Sequence, residues 1–282
     1  MSAEEEALSG RDFSRLSAFV YEQAGIRLGP EKKTMLEGRL RRRLRSLNLD
    51  SYRGYCDYVF TPEGRRAETV PLIDVVTTNK TDFFREPAHF TFLSERALGE
   101  MTARAGGRPV VVWSAGCSSG EEPYTLAMVL SEYAEAHPGC SFRILATDIS
   151  TQVLEKARLG VYSTHVVEPV PAALRRKYLM RSRRPGSDQV RVAPEVRQMV
   201  DFRRLNFMDA DYGLEVRADA IFCRNVLIYF DRPTQEKILR RLTRYLVPGG
   251  YLFVGHSETL HEMDLPLQPL APALYRRNDG GG

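Results

Sequence analysis

The chain has 282 residues, a formal net charge of +4 and 43% hydrophobic residues, enough for a full α/β core and one small extra unit. Its four cysteines, Cys56, Cys117, Cys140 and Cys223, show no CxxC or Cys/His spacing, so neither a disulfide framework nor a zinc site is indicated and a reducing cytoplasm is expected. The acidic start Met1–Glu6 lacks a secretion signal's apolar core, no apolar run reaches the length of a bilayer span, and the modest charge gives no argument for nucleic acid.

Residues 11–75 carry leucines and aromatics at helical intervals, with turn signals at Gly29-Pro30 and Thr61-Pro62-Glu63-Gly64, and predict a small N-terminal helical domain. Within it, Glu31 to Leu47 reads as a helix with Leu36, Leu40, Leu44 and Leu47 on one face. Lys32, Lys33, Arg39, Arg41, Arg42, Arg43 and Arg45 crowd the remainder, offset only by Glu31 and Glu37. Such self-repulsion predicts an anionic partner; a solvated helix face is the alternative. Nucleic acid is disfavoured as that partner because few aromatics lie among the cations to stack on bases.

From Val110 onward, apolar strands alternate with helices. Strands are expected at Val110–Trp113, Phe142–Thr147, Val200–Leu205, Ala218–Cys223 and Tyr251–Val254, with a long helix from Pro233 through Leu246 stopped by Pro248-Gly249-Gly250. The pattern predicts a doubly wound, mostly parallel α/β sheet over residues 76–279. Between Ser163 and Gln198 the period breaks down around a basic turn, Arg181 to Gly186, and an inserted small antiparallel β-subdomain with a hairpin is expected. The tail from Asn278 to Gly282 is expected to be flexible.

The first strand ends in a small-residue loop, Ser114 to Gly120, and restarts as a helix over Glu121–Leu130. Gly116 and Gly120 permit a sharp turn and close approach of a ligand. The loop lacks the Lys and Ser/Thr of a phosphate-binding loop, and Glu121 and Glu122 would repel a pyrophosphate at the helix N-terminus. Asp148, at the end of the neighbouring strand, is placed to accept hydrogen bonds from both ribose hydroxyls. The combination describes a site for a cationic nucleoside, with S-adenosylmethionine the leading candidate; an ordinary tight βα turn is the alternative for the loop alone.

Five segments in order carry a family resemblance. Thr77-Thr78-Asn79-Lys80-Thr81-Asp82-Phe83-Phe84-Arg85-Glu86, Gly120-Glu121-Glu122-Pro123-Tyr124, Ala146-Thr147-Asp148-Ile149-Ser150, Ile221 through Phe230 and Gly255-His256-Ser257-Glu258 closely resemble the bacterial chemotaxis receptor methyltransferase (CheR) family. The resemblance implies the Rossmann-like fold of class I methyltransferases and S-adenosylmethionine-dependent methylation of glutamate side chains on chemoreceptor cytoplasmic helices. It implies Asn79, Thr81 and Arg85 at the cofactor's amino-acid end and the substrate carboxylate, and Glu121 near the cofactor amine, with Glu122 the less certain neighbour. It further implies Asp148 on the ribose, Asn206 and Phe207 beside the adenine, and Asn225 and Val226 holding the cofactor from the fourth strand. Arg85 and Tyr229 are the implied catalytic residues, Tyr229 lying one helical turn beyond Asn225. The basic helix, through Arg39, Arg41, Arg42, Arg43 and Arg45, would dock the glutamate-rich receptor helices.

Blander roles compete at several positions. Phe83, Phe84 and Phe230 suit a core, Thr81 suits a helix cap, Tyr229 suits packing, and Arg85 suits a surface pair with Glu86. A glutamate is already ionised near neutral pH, so the transfer needs no general base and positioning dominates; the guanidinium fork of Arg85 suits that task. His256 suits a structural hydrogen bond, and five histidines isolated from one another suggest no metal. Members that bind a receptor's C-terminal pentapeptide carry a glycine-rich hairpin loop, of which residues 181–188 retain only Gly186, so tethering is doubtful. A cytoplasmic monomer that neither enters a membrane nor binds nucleic acid is expected. A non-catalytic S-adenosylmethionine-binding signalling module and a methyltransferase of another acceptor are the competing functions.

Overall fold

The structure, a computed structural model, describes residues 7–278. The acidic start Met1–Glu6 and tail residues 279–282 lie outside the described residues.

Local chemistry sets the helical region. α1 (Gly10–Ala24) starts where the Ser9 hydroxyl accepts the Asp12 N–H and stops at Gly25, whose φ of 67° is left-handed. After a short turn at Pro30–Lys32 come α2 (Lys33–Leu47), α3 (Tyr52–Val59) capped by Ser51, and α4 (Pro62–Val76) capped by Thr61 with proline at its first position. Leu16, Phe19, Val20, Leu36, Leu40, Tyr55 and Leu72 form their shared core, against which Ile149 of the following region packs.

Then α5 (Pro87–Phe92) runs through a π-type turn at Leu93–Ala97 into α6 (Leu98–Ala105). The sheet uses β1 (Val110–Ala115), β2 (Phe142–Asp148), β6 (Val200–Arg204), β7 (Ala218–Cys223), β8 (Leu246–Val254), β9 (Leu267–Ala271) and β10 (Leu274–Arg277). Its order is β6-β2-β1-β7-β8-β10-β9; β6 through β8 are parallel, and β10 and β9 add an antiparallel edge. Helices α7 (Glu121–Ala136), α8 (Thr151–Leu159) and α11 (Arg232–Tyr245) connect the parallel strands. One apolar cluster joins Leu98, Leu126 and Phe222, and another joins Trp113, Ile221 and Leu242, in keeping with a sheet covered on both faces.

The inserted subdomain is larger than a hairpin. β3 (Val161–Ser163), β4 (Leu179–Arg181) and β5 (Gln189–Val192) form an antiparallel sheet in the order β3-β5-β4, with α9 (Ala172–Tyr178) and α10 (Pro194–Arg197) alongside in sequence. Two sequence expectations are corrected. The strand expected to start at Tyr251 starts at Leu246, because Gly249 (φ 68°) and a pairing shift between Ala218 and Ala220 carry Pro248-Gly249-Gly250 inside it. The β9–β10 edge was not foreseen at all.

Candidate active site

Strand order reverses at β1, whose neighbours β2 and β7 are reached by connections running opposite ways along the sheet. Ligands of doubly wound sheets bind at the carboxyl ends of strands at this kind of switch point. The ends of β1, β2 and β7 here border a cavity that opens to solvent.

The cavity floor is built by backbone geometry. Gly116 has φ of 89°, and a Cβ there would stand 2.4 Å from Val226 Cγ2, so glycine is required twice over. The N–H groups of Gly116 and Cys117 both donate to the Thr147 carbonyl, at 2.7 and 2.9 Å. Asp148 fastens the loop from the other side: Oδ2 accepts the Ser118 N–H at 2.8 Å and Oδ1 the Ser150 N–H at 2.9 Å. Burial pushes its carboxyl up, and the two N–H donors oppose this by favouring the charged form. Each oxygen retains a lone pair for a hydroxyl ligand.

Asn79, Thr81, Arg85, Asp148, Asn206, Phe207, Asn225, Val226 and Tyr229 all line this one cavity. The Asn79 carbonyl accepts from the Ser118 hydroxyl at 2.9 Å, joining the motif loop to the glycine loop. Thr81 caps no helix, because residues 83–86 form turns and bends and the next helix begins at Pro87. Asn206 donates Nδ2–H to the Gln23 carbonyl at 2.7 Å. Asn225 adopts φ of 58°, held by Glu258, whose carboxylate takes the N–H groups of Asn225, Leu227 and Gly255 at 2.8, 2.7 and 2.6 Å. Glu258 thus accounts for the Gly255-His256-Ser257-Glu258 motif as a clamp on the turn after β7.

Several expectations are corrected. Glu121 does not line the cavity; both its oxygens accept the Ser119 hydroxyl, and Glu122 takes the wall position instead. Phe230 lines the cavity and is not simply core, whereas Phe83 is buried. Tyr229 belongs to a 3₁₀ turn, Leu227–Tyr229, entered after a left-handed Asn225, so the two are not one helical turn apart. Its hydroxyl donates to the Thr78 carbonyl at 3.3 Å, and burial pushes its pKa up, which keeps it a neutral phenol. Arg85 is not paired with Glu86: it donates to the Lys80 carbonyl at 3.3 Å, and Glu86 turns to Arg224.

Arg224 escaped sequence reading. Its side chain is 2% exposed, and it donates to Glu122 Oε2 and Glu86 Oε2, each at 3.1 Å, and to the Arg85 carbonyl. The signal available was a charged residue directly after the buried apolar run Ala220–Cys223 of β7, where an unpaired charge is too costly to keep. Also unforeseen is the helical region's part in the wall, through Ala24, Ile26, Val76 and Thr77. Asp74 of α4 fixes that contact by accepting the Thr151 N–H and hydroxyl at 2.9 and 2.7 Å.

The basic helix divides. Arg39 donates to the carbonyls of Val75, Val76 and Thr77 at 2.8 to 3.1 Å, satisfying the end of α4. Arg43 grips the buried Glu68, and Arg41 donates to the Tyr52 hydroxyl at 3.3 Å. Arg39 and Arg43 are therefore corrected to structural residues, and part of the charge surplus is answered within the chain; Arg42 and Arg45 remain exposed. The histidines are not all isolated either. His89 and His256 rings meet edge to face at 5.1 Å, and with Glu86 they form the single His/acid group among the described residues with three donor atoms close together. The Glu86 carboxylate there already accepts from Arg224, Asn225 Nδ2 and the His256 N–H. No described helix is long and apolar enough to cross a membrane.

Comparison with known proteins agrees with this architecture. Residues 11–77 match the family model described as the CheR methyltransferase all-alpha domain, and residues 79–271 match the CheR methyltransferase SAM binding domain. A chemotaxis protein methyltransferase of Borreliella burgdorferi is 39% identical over 95% of this chain and 94% of its own length. Chemotaxis protein methyltransferase 2 of Pseudomonas aeruginosa is 40% identical over 94% and 92%, and the Escherichia coli protein 41% identical over 92% and 87%. With both domains matched in order around a cavity at the switch point of the sheet, the chain belongs to the CheR methyltransferase family.

Proposed function

We propose that this protein transfers a methyl group from S-adenosylmethionine to glutamate side chains of chemoreceptor cytoplasmic helices, giving glutamyl methyl esters. One observation carries the reading: a single cavity gathers the nine residues named above, from four separate segments of the chain, around a glycine loop without phosphate ligands. Its acids, Asp82, Glu122 and Asp148, suit a ligand with a cationic tail and ribose hydroxyls.

When bound, the cofactor supplies a methyl group on a positively charged sulfur, an electrophile that an ionised carboxylate attacks without a general base. The chain's own part is orientation. Asp148 takes the ribose, Asn206 and Phe207 border the base, and Asn225 and Val226 close the side formed by β7. Arg85 holds the substrate carboxylate at the open mouth, in a direction a single ammonium would not fix. Tyr229, protonated at neutral pH, offers a hydrogen bond and not a base. Exclusion of water and alignment of the reacting atoms supply several kcal/mol of barrier lowering. Arg42 and Arg45 present positive charge to a glutamate-rich partner.

Incubation with methyl-labelled cofactor and receptor cytoplasmic fragments tests the assignment. Base-labile label on receptor glutamates is the expected result; label that resists base, or label on another acceptor only, overturns it.

A further inference from the structure

Glu122 lies at the start of α7, and its carboxylate is enclosed on the cavity wall. Ser114 donates its hydroxyl to Oε1 at 2.7 Å and Arg224 donates Nη1–H to Oε2 at 3.1 Å. The other charged or titratable groups that face it are Glu86 from the motif loop, Cys117 from the glycine loop and Cys223 from the end of β7. Both thiols are buried and pushed well above their usual range, so they stay neutral. Arg224 thus stands between two carboxylates and leaves the pair with a net negative charge. It also holds the Arg85 carbonyl, tying the loop that carries Asn79 and Arg85 to the end of β7.

Resting on the cofactor reading above, we propose that Arg224 is a positioning residue for the ammonium end of the cofactor. It keeps the Glu122 carboxylate charged and aimed at the cavity while locking the Arg85 loop over it. Three acceptors on two separate segments, Glu122 at the start of α7 and Arg85 with Glu86 in the motif loop, need the several N–H groups of a guanidinium; a lysine's compact ammonium would not bridge them in one plane. Burial raises the Glu122 carboxyl, repulsion from Glu86 raises it further, and Arg224 is the main opposing charge. Without Arg224, Glu122 takes up a proton at a higher pH and ceases to attract an ammonium, so affinity falls at low pH and returns as pH rises.

S-adenosylhomocysteine, which carries the same ammonium, is the probe, titrated calorimetrically into the whole protein between pH 5.5 and 8. For Arg224→Gln, the pH at which affinity is half lost is expected about one to three pH units above that of the wild type, the range an adjacent opposite charge commands. Arg224→Lys should keep the wild-type pH profile with weaker affinity throughout. Glu122→Gln should bind at least about tenfold more weakly with no pH dependence in this range. Loss by the same factor at every pH in Arg224→Gln would mean that Arg224 merely supports the fold, and wild-type affinity in Glu122→Gln would remove the carboxylate from the site. Should Arg224→Gln fail to fold, the lysine and Glu122→Gln proteins decide the matter. Absence of binding by the wild type would instead remove the cofactor reading, and the inference with it.

Discussion

Among the described residues, Arg43 and Arg224 each meet buried or half-buried glutamates, and the two arginines do different work. In the helical region, Arg43 meets Glu68 through both Nε and Nη2, and the Tyr55 hydroxyl donates to the same carboxylate at 3.2 Å. Glu68 is 1% exposed, and neither it nor Arg43 lines the cavity. In the sheet region, Arg224 also meets carboxylates, but Glu122 has an open side on the cavity wall. A buried pair whose acceptors are consumed internally is architecture, whereas one that opens on a cavity can also answer a ligand.

The largest effect should come from breaking the closed pair. Glu68→Ala leaves a partly buried guanidinium and the fully buried Tyr55 hydroxyl without their acceptor, and a loss of about 3 to 5 kcal/mol in stability is expected. Denaturant unfolding followed by circular dichroism measures it. S-adenosylhomocysteine affinity of the folded fraction should not change; a selective affinity loss would break the division between the two pairs.

Next comes Asp148→Ala, which removes the expected ribose acceptor and also frees the Ser118 and Ser150 N–H groups. Two hydrogen bonds to a charged acceptor make about 3 kcal/mol, or roughly a hundredfold in Kd, the expected loss. Calorimetric titration reads it out, and unchanged affinity would take the ribose role from Asp148. The double duty of this carboxylate, as ligand acceptor and loop anchor, is absent from the closed pair at Glu68.

The sequence made the parallel core legible because β1, β2 and β7 carry short apolar runs, Val110–Trp113, Ile144–Ala146 and Ala220–Cys223, each stopped by a polar or charged residue. Period alone could not find β9 and β10, short strands without apolar–polar alternation and with a proline inside β9, nor the way β8 runs through Pro248-Gly249-Gly250. At the site, residues in recognisable segments were placed in the cavity, with Glu121 the exception. Neighbouring acids at a helix start face about 100° apart, and spacing to the loop does not say which one looks inward. Partners distant in sequence were the hardest to see: Arg43 with Glu68, Arg39 with the end of α4, and Arg224 with Glu86 and Glu122 each join separate segments.

A conservative change at the cavity mouth sharpens the comparison from the cleft side. Arg85→Lys keeps the charge and loses the planar fork, so turnover at saturating receptor is expected to drop about tenfold, near 1.4 kcal/mol of barrier. Cofactor affinity should change far less. Equal turnover in the two proteins would reduce Arg85 to a source of charge.

The smallest effect separates the outward arginines of α2 from the inward ones. Arg42 and Arg45 are exposed, whereas Arg39 and Arg43 are spent on Thr77 and Glu68. Exposed charges are screened over about 8 Å at physiological salt and contribute roughly 0.2 to 0.5 kcal/mol each, the low part of the range for exposed pairs, so the double change to serine should raise the receptor KM by about two- to fivefold. Stability and S-adenosylhomocysteine affinity should stay at wild-type values, which the same substitution at Arg43 would not allow. Added salt should weaken receptor methylation by the wild type more than by the double variant, since screening removes an attraction the variant lacks. An identical salt response in the two proteins would make this face of α2 a solvated surface, and receptor docking would have to be sought elsewhere on the chain.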